Sequence, residues 1–188
     1  MEDYIGTEKV VHGQRWGELH GGYFSNHSIA RPLVETARGI LARSPADVVV
    51  DLGGGTGFLL SQLASQGVGT ALVDVDCSEP QLALTDKEGI LRLCKSIMGF
   101  RRADIAARDK RLFFIMRSVL HYLGEKGLST LLLHLRDQAE EGEFFVHQSA
   151  SFDSEEEAAC LNALYRHMRT HKWYPTVEDL MKRLADSA

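Results

Sequence analysis

Val48-Val49-Val50-Asp51-Leu52-Gly53-Gly54-Gly55-Thr56-Gly57 is an apolar run that breaks into one acid and then into a cluster of glycines. Three β-branched residues with no polar partner on either face suit a strand at the centre of a parallel sheet, covered on both sides. Glycines at 53, 55 and 57 let the backbone turn tightly and come close to a ligand with no Cβ in the way. From Phe58 the spacing becomes helical, through Leu59, Leu60, Leu63 and Ala64, and Gly67 is placed to end that helix. Strand, glycine turn and helix follow one another in the order of a nucleotide-binding unit; the plainer reading is a glycine-rich surface loop.

What the turn omits narrows the ligand. A dinucleotide fingerprint needs G-x-G-x-x-G, yet the sixth position from Gly53 is Phe58. A phosphate-cradling loop needs Gly-Lys-Ser/Thr, and no Lys follows these glycines. The pattern D-x-G-x-G-x-G, carried by Asp51, Gly53, Gly55 and Gly57, instead resembles the first motif of class I S-adenosylmethionine-dependent methyltransferases. That ligand has no phosphate but carries an amine and a sulfonium, and an acid at a strand end suits the cationic side. A second apolar run, Ala71-Leu72-Val73-Asp74-Val75-Asp76, ends in carboxylates about 20 residues on, the spacing at which an acid can take both ribose hydroxyls. The resemblance favours Asp74 over Asp76 for that role, with Val75 beside it; an ordinary solvated acid is the alternative.

The chain of 188 residues reads as one domain with a substantial core. A net charge of −5, with no basic run denser than Arg108-Asp109-Lys110-Arg111, argues against a nucleic-acid backbone as partner. Cys77, Cys94 and Cys160 match no zinc or redox spacing, so a reduced, cytoplasmic setting is expected and no metal. The acidic start and the absence of a long apolar run predict neither a signal peptide nor a membrane span.

Residues 1–28 are rich in Gly, His and aromatics, among them Trp16, His20, Tyr23, Phe24 and His27, and read as a lid or access segment ahead of a binding domain at 29–188. Tyr23 or His20 is placed to touch the ligand, although aromatics pinning a loop to a core is an equal reading. Ile29 to Ala42 shows one apolar face, with Pro32 tolerable in a first turn. Pro80 opens a helical region ending near Met98, whose stripe is Ile90, Leu93, Cys94 and Ile97. Phe100 to Ile105 is a short strand candidate. In the resembling family an acid at the end of the third strand faces adenine, which implies Asp104, with the next backbone N–H at Ile105.

Leu112 to Met116 is the clearest strand after the first, and Arg117-Ser118-Val119-Leu120-His121-Tyr122-Leu123 continues past its carboxyl end, the edge at which open α/β sheets bind ligands. This run resembles the "VLHHL" segment of small-molecule methyltransferases and lacks the Asn/Asp-Pro-Pro-Tyr motif of enzymes that methylate nucleic-acid amines. The resemblance therefore implies a small-molecule acceptor, with Arg117 at the cofactor, His121 as a candidate general base and Tyr122 or His20 behind it; a structural histidine is the competing reading. Leu128, Leu131, Leu132, Leu135 and Ala139 predict a helix closed by Gly142, and Glu143 to His147 a fifth strand. Ser154 and Glu157 predict a capping box for a helix carrying Ala158, Leu161, Leu164, Tyr165 and Met168. His167 and His171, four apart, invite a metal reading, but solvated histidines fit better. Thr176 and Asp179 open a last helix ending at Ala185.

The resemblance implies a three-layer Rossmann-like α/β fold, a mostly parallel sheet in the order 3-2-1-4-5 with helices on both faces. It implies S-adenosyl-L-methionine as cofactor and methyl transfer to an O, N, S or C nucleophile. The alternative is a non-catalytic subunit that binds S-adenosylmethionine, with a nicotinamide-dependent oxidoreductase further behind. The two strands that follow such a last helix in the family are missing from this sequence. Phe144, Phe145 and Val146 should therefore lie on an edge that either the 154–186 helices or a second copy covers, with the second copy, and so a homodimer, favoured.

Overall fold

The structure is a computed structural model that describes residues 23–85 and 88–187. Trp16 and His20, with most of the expected lid, lie outside the described residues. The described residues fall into two compact units, one of residues 23–85, 88–117 and 138–148, the other holding 118–137 and 149–187.

The first unit is built on five parallel strands: β1 (Val48–Leu52), β2 (Ala71–Asp76), β3 (Ile90–Cys94), β4 (Leu112–Arg117) and β5 (Phe144–Gln148). Their order is β3-β2-β1-β4-β5, as the resemblance implies, and every neighbouring pair is parallel. β1 is central and wholly buried because Val48, Val49 and Val50 offer both faces an apolar side chain. One face packs against α1 (His27–Arg43) and α2 (Phe58–Ser65): Leu33, Val34, Ala37 and Leu41 meet Leu59, Leu60 and Leu63 over Val49, Phe113 and Ile115. Burying such side chains is worth roughly 1.5–3 kcal/mol each. On the other face Phe114 lies 6.2 Å, ring to ring, from Phe100.

α1 begins two residues earlier than expected, where the Asn26 side chain accepts from the N–H groups of Ser28 and Ile29. Pro32 therefore sits inside the helix rather than in its first turn. Its missing N–H leaves the Ser28 carbonyl on an exposed stretch, where water can satisfy it.

Two expectations between Pro80 and Ile105 are corrected. Among the described residues from Glu79 to Met98 only α3 (Glu79–Leu82) is helical; the supposed helical stripe at 90–94 is strand β3, opened by Gly89 at φ 88°. β3 is an edge strand with Leu91 and Arg92 exposed, so apolar residues fall on both faces and mimic a helical spacing. The proposed strand at 100–105 is a single helical turn, α4 (Arg102–Ile105). A long-range pin holds it: the Arg102 guanidinium reaches both Glu143 carboxylate oxygens at 2.8 Å, and its backbone N–H donates to the Gln138 side chain. Burial works against the Glu143 charge, but Arg102 and the N–H groups of Leu112 and Glu140 hold its carboxyl below the usual range.

β5 lies at the sheet edge as expected, hydrogen-bonded only to β4 among the described strands, with Phe144 40% exposed.

The second unit holds a 3-10 turn (Leu120–Leu123), α5 (Gly124–Gln138, all but its last residue), α6 (Glu155–His167) and α7 (Val177–Asp186). Ser154 caps α6 as its sequence predicts, and Thr176 caps α7 by accepting from Asp179. The apolar stripe of α6 is only partly used: Ala158 is buried, whereas Leu164 is 52% exposed and Met168 is also exposed. The Asn162 side chain clamps the Tyr174 backbone at both its N–H and its carbonyl.

Candidate functional site

The glycine turn between β1 and α2 folds as the sequence requires. Gly53, Gly55 and Gly57 have φ of 79°, 63° and 72°, a region L side chains rarely occupy. The Gly53 N–H continues the β1–β2 ladder by donating to the Val75 carbonyl at 2.7 Å, which is the part Val75 plays. Gly54 is held by a different constraint. A Cβ there would stand 2.6 Å from Asp74 Oδ1 and 2.7 Å from Asp51 Oδ2, so its backbone lies directly against two carboxylates.

Those carboxylates are the unusual feature of the unit. Asp51 on β1 and Asp74 on β2 are cross-strand partners, so both point to the same side of the sheet. They are 1% and 0% exposed. Neither Asp74 oxygen, nor Asp51 Oδ2, makes a hydrogen bond of good geometry in the protein. Asp76, two residues further along β2, completes the group and is satisfied: it accepts from the Gly55 N–H at 3.1 Å and the Ser78 N–H at 2.7 Å.

Burial, then the neighbouring acids Asp74 and Asp76, push Asp51 well up, with Arg117 opposing. Burial, then Asp76, push Asp74 up to about 7, against the pull of the Gly54 N–H and Arg92. Asp76 is also raised by burial, less its backbone hydrogen bonds. A carboxyl whose folded value lies above its unfolded value binds protons better when folded. Stability of the unliganded chain should therefore fall as pH rises from about 4 to about 7. Thermal unfolding is expected to show a loss of roughly 2 kcal/mol between pH 5.5 and pH 8; a gain over that interval would contradict the assignment.

The structure thus brings together Asp51, Gly53, Gly54, Gly55, Gly57, Asp74 and Val75. It adds Asp76, together with Gln81, whose side-chain oxygen would meet a Cβ on Gly55, and Thr85, which stands likewise at Gly57. Nothing local marks Gln81 or Thr85; Asp76 was visible as the second acid of its run.

Asp104 and Ile105 leave the register expected of them. The third strand ends at Cys94, so Lys95 and Ser96 stand beyond it. The Asp104 carboxylate is held by Lys95 Nζ at 2.7 Å and by the Arg101 N–H, and these partners keep it below its usual range. Arg117 has its donors engaged: Nε with the Gln148 side chain, and the two terminal nitrogens with the carbonyls of Phe24 and Tyr23. Its guanidinium also lies 5.4 Å from the Tyr23 ring centre. Arg117 and Tyr23 therefore form one contact, which anchors the chain ahead of α1.

In the second unit His121 is buried and stacked on Tyr174, with ring centres 5.0 Å apart and planes 8° from parallel. Its carbonyl accepts from the Trp173 N–H. Tyr122 carries Lys172 Nζ over its ring at 5.1 Å. Ser118, buried at the carboxyl end of β4, has φ 58°, a conformation costly for a residue other than glycine.

No family model matches the sequence, and no curated protein matches it. Solved structures do match. The plantazolicin methyltransferase BpumL, in complex with a pentazolic desmethylPZN analog and SAH, shares 15% identity at a TM-score of 0.67, over 98% of this chain and 75% of that one. A Burkholderia thailandensis 1,6-didemethyltoxoflavin-N1-methyltransferase, with bound 1,6-didemethyltoxoflavin and S-adenosylhomocysteine, shares 16% at 0.68, over 98% and 77%. Human N-acetylserotonin methyltransferase in complex with SAM shares 17% at 0.60, over 100% and 56%. At these identities the likeness is one of fold: the chain has the Rossmann-like α/β fold that these methyltransferases share.

Proposed function

We propose that the chain binds S-adenosyl-L-methionine on the glycine turn and transfers its methyl group to an O, N, S or C nucleophile of a small molecule, leaving S-adenosyl-L-homocysteine. The observation that carries this reading is the pair Asp51 and Asp74, buried beneath Gly54 with three oxygens that make no hydrogen bond of good geometry in the protein. Buried carboxylates of this kind are costly unless a partner supplies donors or positive charge. A vicinal diol and an ammonium or sulfonium supply both, whereas a diphosphate would add charge of the wrong sign. In the neighbours above, S-adenosylmethionine or its demethylated product occupies this fold.

Asp74 would take the ribose hydroxyls, Asp51 the cationic end, and Gly53, Gly54, Gly55 and Gly57 the close backbone approach. The sulfonium supplies the leaving group, so the protein's part is orientation and exclusion of water. A nucleophile that must lose a proton would draw on His121, with Tyr122 behind it; the Tyr174 stack holds the imidazole in one orientation. Residues 29–188 would act as one binding and catalytic domain under a lid at 1–28, in a cytoplasmic setting, with a second copy covering β5. No helix among the described residues is long and apolar enough to cross a membrane.

One observation favours a second reading, a binder without turnover: the acid expected after the third strand is replaced there by Lys95 and Ser96. Incubation with S-adenosylmethionine and a library of small-molecule acceptors, read as S-adenosylhomocysteine formed, separates the two. Acceptor-dependent product is expected. Saturable binding with no product from any acceptor class would favour the regulatory subunit.

A further inference from the structure

We propose that Asp51 and Asp74 hold a single proton between them in the unliganded protein, and that seating a ligand diol on Asp74 expels that proton to solvent. The inference rests on the binding function proposed above and adds its coupling to pH.

The geometry is that of an acid pair. The two residues are register partners on adjacent strands. One point, the Cβ position of Gly54, is 2.6 Å from Asp74 Oδ1 and 2.7 Å from Asp51 Oδ2, so the two oxygens are no farther apart than those lengths laid end to end. Both side chains are sealed from water. Two carboxylates this close and this dry do not both ionise at neutral pH; one proton on the pair removes one of the two buried charges.

No neighbouring cation removes the need for that proton. From β4, Arg117 is close enough to act on Asp51, but its guanidinium donates to Gln148, Phe24 and Tyr23. From β3, Arg92 donates to the Thr85 carbonyl. From β2 comes a third acid, Asp76, which adds negative charge. α3 brings the neutral Gln81 against the turn, and the turn itself offers only backbone N–H groups. The upward displacement of both carboxyls agrees with this arrangement.

Ligand capture changes the balance. To accept two hydroxyl hydrogens Asp74 must present an ionised carboxylate, and a cationic group near Asp51 favours the second charge. The proton then has no holder and leaves. Affinity for a ligand with a diol and a cation should rise with pH through the neutral range, by up to about tenfold per pH unit, and level off once the pair is empty.

Carboxyl carbon-13 titration of the full chain tests the pair without ligand. One shared titration near neutrality is expected for Asp51 and Asp74, and in Asp51→Asn the Asp74 resonance should titrate at clearly lower pH. If both carboxyls titrate near pH 4 in the wild-type chain, the inference is overturned whatever the protein binds. Calorimetry of S-adenosylmethionine at pH 6.5 in buffers of different ionisation enthalpy tests the coupling, with release of about one proton per ligand expected. Binding with no proton exchange overturns the coupling alone. A titrating pair with no S-adenosylmethionine binding at any pH overturns the proposed function, and the coupling with it.

Discussion

Gly54→Val is expected to abolish ligand binding and to destabilise the fold by roughly 3 kcal/mol, the upper range for overpacking a filled site. Its first added carbon would fall 2.6 Å from Asp74 Oδ1, 2.7 Å from Asp51 Oδ2 and 2.8 Å from Asp51 Cγ. These atoms belong to short side chains on the two strands next to each other in the sheet, so they cannot swing aside as a long surface side chain would. Relief needs either the turn or the strand ends to shift, and both form the binding surface. Gly55 makes the comparison: a Cβ there meets the far end of Gln81, which can move, although φ of 63° still strains any side chain. Gly55→Ala should therefore cost less stability than Gly54→Ala. Denaturant unfolding of the pair checks the order, and equal stabilities would show that the carboxylates yield.

Asp74→Ala is expected to weaken S-adenosylmethionine binding by at least about 2 kcal/mol, on the order of thirty-fold, because charge-assisted hydrogen bonds to two hydroxyls disappear together. The same change should leave the unliganded fold as stable as before or more so above neutral pH. It deletes a buried carboxylate that makes no hydrogen bond of good geometry and relieves Asp51 of a like charge. A loss of affinity together with a gain of stability is the mark of a group kept for binding. Loss of both would mean that Asp74 holds the fold together, and loss of neither would remove it from the site. Melting temperature and calorimetric dissociation constant, taken on one preparation at pH 8, give the two readings.

Much of this was legible in the sequence because the decisive segments are buried on both faces. β1, β2 and β4 each open on an apolar run, and the acids and glycines that follow stand out against it. The glycine positions were readable for the same reason: the positive φ of Gly53, Gly55 and Gly57 demands a residue that few others can replace. β3 was not readable, since an edge strand need not alternate, and Leu91 and Arg92 face out on a strand only five residues long. α4 was hidden for a different reason. Its anchor is Arg102 with Glu143, forty-one residues away in sequence, and a pair so distant leaves no local pattern. That misplacement carried Asp104 with it, because its expected role depended on which segment was the third strand. Only the family register separates Asp74 from Asp76 in the sequence; the Gly55 N–H that Asp76 accepts from is a contact created by the fold. On α6 the periodicity correctly announced a helix but not the depth of its burial, which depends on what the helix meets.

Isothermal titration of the full chain with S-adenosylmethionine, run beside NAD and ATP at pH 8, tests the central claim most directly. Saturable binding of S-adenosylmethionine to one site per chain is expected, lost in Asp74→Ala, with no heat of binding from the two phosphate-bearing ligands. Saturation by NAD or ATP while S-adenosylmethionine gives none would contradict it.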